Sequence, residues 1–157
     1  MIVKFKKLHK NTVVPKQMTK GAACADVVAV RIEKKENMAV VYLGFSAEIP
    51  EGYKAVMSPR SSFAHQGWVL QNSPCQIDSD YRGEWMIKFE ALVNSSVKTW
   101  SEWHGEKIKS VYLPFPYEVG DRVAQMWLEE VVDFEFKEVE ELSTTERGSG
   151  GFGSSGK

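Results

Sequence analysis

The sequence predicts an all-β fold, a sandwich or barrel of many short strands with one short helix. Three observations carry this expectation. Short apolar runs recur between turn signals along most of the chain, and helical periods are few. In 131–138, Val132, Phe134 and Phe136 alternate with Asp133, Glu135 and Lys137, the period of a strand with one wet face. At 157 residues, 43% hydrophobic and 26% charged, the chain has the make-up of one ordinary globular domain with a real core.

Taken in order, the first strand is expected at 2–8. Its apolar run is broken at once by Lys4, unlike a signal peptide, and no stretch is long enough to span a bilayer. Strands follow at 25–31, 38–45 and 53–57, with a turn at Ile49-Pro50-Glu51-Gly52. A short helix is expected over 59–66, capped by Ser58 with Pro59 in its first turn. Its free N–H groups and Arg60 would meet an anion, the alternative being a capped surface helix with a solvated arginine.

Strands at 68–71 and 85–93 flank a polar turn and read as a β-hairpin. The segment 95–117 is an elaborated loop or extra hairpin, with Trp100, Trp103, His104, a strand at 108–113 and the rigid Leu113-Pro114-Phe115-Pro116-Tyr117. Its aromatic residues either cover a core edge or offer a surface to a protein partner. Strands at 122–128 and 131–138 complete a domain spanning 1–142. The remainder, 143–157, is rich in glycine and serine with no aliphatic side chain, a mobile tail that cannot fold alone. Arg147 and Phe152 within it suit a phosphate and a flat base.

The net charge of −1 offers no bulk attraction to nucleic acid or anionic membrane, so an anionic ligand must be met by local groups. Cys24 and Cys75 lie far apart without CxxC spacing, which fits a reducing, cytoplasmic setting, one disulfide being the alternative. His9, His65 and His104 are too scattered for a zinc site.

Chemistry is densest in Asn72-Ser73-Pro74-Cys75-Gln76-Ile77-Asp78-Ser79-Asp80-Tyr81-Arg82-Gly83-Glu84. A hairpin there would hold Asp78 and Tyr81 against a small ligand, whereas the plain reading is a surface turn of ordinary turn formers.

Five segments, in order, resemble the motifs of the trimeric dUTP pyrophosphatases, the dUTPases, over nearly the full length. They are Gly21-Ala22-Ala23-Cys24-Ala25-Asp26, Pro59-Arg60-Ser61-Ser62, the 72–83 stretch, Gly120-Asp121-Arg122-Val123-Ala124-Gln125-Met126, and the glycine-rich run from Arg147 to Gly156. The resemblance implies a jelly-roll-like, distorted β-barrel subunit in a homotrimer, with active sites between subunits and the tail of one chain closing a site built on others. It implies hydrolysis of dUTP to dUMP and pyrophosphate, with Mg²⁺ bound to the triphosphate.

By resemblance, Asp78 is a buried acid that holds the attacking water, and Tyr81 packs beneath the deoxyribose. Asn72 lies near sugar and base, and main-chain groups of Cys75, Gln76 and Ile77 read the uracil, over which Phe152 stacks. Arg60, Ser61, Ser62, Gln125, Arg147, Gly151 and Ser154 meet the phosphates. Asp26 lies near the ion, touching it through water at most, or serves a turn. Cys24 and Cys75 stand where the family usually has glycine. If the glycine at 75 needs a positive φ, Cys75 is strained and the base-reading backbone shifts. The 95–117 segment is longer than the family pattern. Two further readings are a dCTP deaminase or bifunctional relative on the same fold, with Glu90 as its acid, and a nucleotide-sensing protein that acts through a partner.

Overall fold

A computed structural model describes residues 1–92 and 113–151. The expected strand at 108–113 (but for Leu113), Trp100, Trp103, His104, Phe152 and Ser154 lie outside the described residues. Ten strands are present among the described residues: β1 (Lys4–Lys7), β2 (Ala25–Val28), β3 (Arg31–Lys35), β4 (Met38–Tyr42), β5 (Phe45–Glu48), β6 (Tyr53–Pro59), β7 (Trp68–Leu70), β8 (Cys75–Ile77), β9 (Met86–Ala91) and β10 (Arg122–Glu130).

They form two four-stranded sheets, ordered β2-β10-β6-β8 and β3-β4-β9-β7, and a ribbon of β1 and β5. All strand pairs are antiparallel. Both sheets feed one core: Val27, Ala55, Met57, Val123 and Ala124 from the first meet Ala39, Val41, Leu70, Ile87 and Phe89 from the second. Phe63, Phe89, Phe115 and Tyr117 close one side as an aromatic cluster, with ring centroids 4.9 to 6.4 Å apart. The rigid 113–117 run therefore covers a core edge, and Trp68 Nε1 pins it by donating to the Pro114 carbonyl at 3.1 Å. Leu113 lies outside any strand.

Four expectations are corrected. The 38–45 run is two strands, because the chain turns at Leu43-Gly44 before entering β5. β3 escapes notice in the sequence because four of its five side chains are charged and exposed, so it shows no apolar alternation. The helix at 59–66 is one 3-10 turn, Ser61–Phe63. Pro59 instead ends β6 opposite Ala124, Arg60 is extended, and no side chain caps the turn.

The fourth correction concerns 131–138, which alternates like a strand yet has no strand partner among the described residues. Phe134 and Phe136 are 77% and 90% exposed, so the apolar face that predicted a strand has nothing among the described residues to pack on.

Candidate active site

Three neighbouring strands gather the first, second and fourth motifs. The register sets Asp26 of β2 and Ser58 of β6 on either side of Gln125 in β10, so the three share one face of the sheet. Asp26 is a strand residue, not a turn residue, and is 8% exposed. A buried carboxylate is costly unless paired. Here Arg122 Nη1 donates to Oδ2 at 3.0 Å, and Arg60 Nε lies 3.2 Å from Oδ1. The Arg60 N–H is not aimed at the oxygen, so that contact is one of charge rather than a hydrogen bond.

Arg60 Nη1 also approaches the Arg122 carbonyl at 3.3 Å. The guanidinium is thus folded back onto Asp26 and β10, at the point where the 3-10 turn begins. Ser61 and Ser62 are exposed on that turn, and buried Phe63 anchors it. Ser58 Oγ faces the Pro59 carbonyl instead of capping a helix. The group offers arginine charge and two hydroxyls, and no helix terminus. Burial pushes the Tyr117 phenol up, while nearby Ser62 and Arg60 act in the opposite direction.

The third motif sits at the far edge of the same sheet. β8 pairs with β6, Met57 opposite Cys75 and Ala55 opposite Ile77. Its other edge has no strand partner among the described residues, so alternate N–H and C=O groups point outward. Cys75 is buried in ordinary extended backbone, and the anticipated strain at this glycine-replacing position is absent. The positive φ, 53°, falls instead on Asn72, a residue type that tolerates it. Burial raises the Cys75 thiol above its ordinary range. Gln76 Oε1 accepts from Lys54 Nζ at 2.8 Å, so its side chain is already engaged.

Beyond β8 the chain turns tightly. Tyr81 N–H donates to the Asp78 carbonyl at 3.2 Å, and Arg82 Nη1 donates to the Ser79 and Tyr81 carbonyls at 2.6 and 3.1 Å. Arg82 is therefore a turn clamp. Tyr81 Oη donates to the Glu84 carbonyl at 3.2 Å, and its ring lies so close over Gly83 that a Cβ there would collide with the hydroxyl and ring. Asp78, expected to be a buried acid, is exposed in the isolated chain.

The start of the third motif approaches the second within one chain, Ser73 lining a pocket with Pro59 and Arg60, but its Asp78 end does not. Ile77 stands opposite Ala55, and Ser61 lies six residues further along the same extended run, roughly 20 Å at about 3.3 Å per residue.

The sequence model of the dUTPase family matches residues 10–102 and 110–156. Two curated relatives, both named deoxyuridine 5'-triphosphate nucleotidohydrolase, align along nearly the whole chain. That of Helicobacter pylori (strain J99) is 37% identical over 160 residues, covering 99% of this chain and 97% of its own. That of Helicobacter hepaticus is 38% identical over 159 residues, covering 99% and 89%. Among solved structures, a Staphylococcus bacteriophage 80alpha dUTPase mutant with dUpNHpp superposes with a TM-score of 0.76 at 26% identity, covering 99% of both chains. The dUTPase of S. aureus phage phi11, at 21% identity, shares the fold, with a TM-score of 0.69 over 92% of this chain and all of its own.

The chain belongs to the dUTPase family.

In this dUTPase, two sequence-derived site residues, Phe152 and Ser154, lie outside the described residues. Arg147 and Gly151 are described, and among the described residues no hydrogen bond joins them to either group. The tail around them bonds to itself, Arg147 Nε donating to the Gly150 carbonyl at 2.9 Å and Gly148 N–H to Thr145 Oγ1 at 3.1 Å. Glu90 is already engaged: Asn37 Nδ2 and Gln71 Nε2 donate to its two carboxylate oxygens at 3.2 and 2.7 Å.

Arg122 and Tyr117 adjoin the group of Asp26, Arg60 and Ser62 yet went unassigned in the sequence. Arg122 was legible as a cation inside the fourth motif, but its partner Asp26 lies 96 positions away. Nothing local marks Tyr117, since Phe63 and Ser62 reach it only through the fold.

Proposed function

We infer that this chain hydrolyses dUTP to dUMP and pyrophosphate, lowering dUTP and supplying dUMP. The observation that carries the reading is the 72–84 hairpin, which joins an open backbone edge, a carboxylate and a tyrosine on one braced turn, in a chain of the dUTPase family. Asp78 accepts the proton of a water that attacks the α-phosphorus; the α–β anhydride breaks and pyrophosphate leaves. The exposed carboxylate is ready for that task once a ligand and neighbouring chain cover it.

Of Cys75, Gln76 and Ile77, the alternate main-chain groups that point outward offer a fixed donor and acceptor pattern to a uracil edge, which cytosine cannot match. Asn72 lies beside the sugar and base, the Tyr81 ring lies beneath the deoxyribose, and Phe152 stacks over the base. Ser61, Ser62, Gln125, Arg147, Gly151 and Ser154 hold the triphosphate in line, and Arg60, held by Asp26, adds charge at the same place.

A homotrimer is the assembly we assign. The separation of Ser61 from Ile77 along β6 supports it, since it sets the Asp78 end of the third motif well away from the serines of the same chain. The exposed face of 131–138 supports it too, since a neighbouring copy supplies the missing packing.

Among the described residues no cluster of three His, Cys, Asp or Glu forms a metal cage, and Asp26 is occupied by two arginines. These residues fit an ion carried by the substrate's phosphate oxygens and its own waters, the ordinary habit of Mg²⁺. When bound, Mg²⁺ supplies neutralisation of phosphate charge. Asp26 keeps at most a water-mediated contact with it. No helix among the described residues is long and apolar enough to cross a membrane. The two free thiols agree with a reducing cytoplasm.

The engagement of Glu90 by two amides disfavours the deaminase reading, which needs that carboxylate for catalysis. The test is pyrophosphate release with Mg²⁺ from dUTP, dTTP, dCTP and UTP, with Asp78→Asn as control. Fast release from dUTP alone, lost in Asp78→Asn while binding persists, is expected. Equal turnover of all four overturns the specificity, and ammonia release from dCTP would favour the deaminase.

A further inference from the structure

Glu84 has no role in the chemistry above, yet it is tied into the site from both ends. Its carboxylate Oε1 accepts the backbone N–H of Gly44 at 3.1 Å. Gly44 is the pivot between β4 and β5, with φ at 72°, and a Cβ there would come within 2.6 Å of Thr12 Oγ1 and 2.9 Å of Val30 Cγ2. The Gly44 carbonyl is itself held, accepting from Leu8 N–H at 2.8 Å and from Thr12 Oγ1 at 2.6 Å. Two more bonds bracket the pivot: Leu43 N–H donates to the Trp85 carbonyl at 3.0 Å, and Trp85 N–H to the Phe45 carbonyl at 2.9 Å. Trp85 is 1% exposed. The Glu84-Trp85 pair is therefore fastened to a rigid turn at three points, and the Glu84 carbonyl receives the Tyr81 hydroxyl.

We propose that Glu84 is a positioning residue for sugar discrimination. Its bond to Gly44 fixes the backbone carbonyl to which Tyr81 is tethered, and so sets the height of the Tyr81 ring beneath the sugar. A ring free to drop makes room for a 2′-hydroxyl. The inference rests on the reading of Tyr81 as the surface under the deoxyribose, and deepens it.

The alternative is that Glu84 only steadies the turn, and sugar preference separates the two. Glu84→Ala removes the acceptor, whereas Glu84→Gln keeps a carbonyl oxygen in its place. The ratio of kcat/KM for dUTP over UTP is expected to fall about tenfold in Glu84→Ala, the effect of one lost positioning hydrogen bond, and to be rescued in Glu84→Gln. Tyr81→Phe, which cuts the same tether without touching the turn, is expected to lose discrimination to a similar degree. An active Glu84→Ala with a lowered Tm and an unchanged ratio overturns the inference. If Glu84→Ala does not fold, an unchanged ratio in Tyr81→Phe does the same. Absence of dUTP turnover in the parent chain overturns the functional reading, and this inference with it.

Discussion

Gly83 shows how one missing carbon shapes this site. The Tyr81 ring occupies the space a β-carbon would fill, so Gly83→Ala must displace the ring or the backbone. Its expected outcome is a drop of about tenfold or more in kcat/KM for dUTP, measured by pyrophosphate release, with a much smaller change in Tm because the turn is at the surface. Cys75 makes the opposite point, since a residue replacing a family glycine became core. Its thiol is raised by burial, so near pH 8 iodoacetamide should leave it untouched in the native protein and modify it in urea, as mass spectrometry would read. A raised thiol pKa gives stability that is present below the unfolded value, about 8.5, and is lost as pH climbs through the folded value. Cys75→Ala should therefore flatten the alkaline fall in Tm.

At the scale of elements, the row across β2, β10 and β6 is held by a carboxylate between two arginines. Asp26→Asn leaves both cations facing a neutral group. Removing one partner of a buried ion pair costs about 3–5 kcal/mol, and the partial exposure of Arg60 and Arg122 lowers this to roughly 1–3 kcal/mol, readable in urea unfolding. KM for dUTP should rise as Arg60 comes loose. The hairpin and the paired strands were legible because apolar runs between turn formers survive any tertiary context. β3 was hidden by its charges, and β8 because three residues among turn formers carry no period. The helix expected at 59–66 was lost to pairing: β10 extends far enough to hold Pro59 in the sheet, which leaves only one 3-10 turn before the next strand.

For the whole molecule, the proposed homotrimer is what would give the 131–138 segment and the glycine-rich tail their roles. Phe134→Asp with Phe136→Asp is expected to shift the protein from trimer towards monomer in size-exclusion chromatography with light scattering, and to abolish turnover. Ending the chain before Arg147 is expected to leave the trimer intact while removing most activity. A strictly monomeric wild type, or full activity in the shortened chain, contradicts the assembly assigned here.

By itself, the sequence determined the all-β class, the family and the identities of the chemical groups, because strand periodicity and turn chemistry are local and the five motifs are contiguous. Tertiary structure alone decided which groups meet. It placed Asp26 beside Arg60 and Arg122, set Asp78 and Ser61 towards opposite ends of β6, left Asp78 exposed, and left 131–138 without a partner strand among the described residues. The physical reason is that pairing and burial depend on contacts between residues tens of positions apart, which no local pattern encodes.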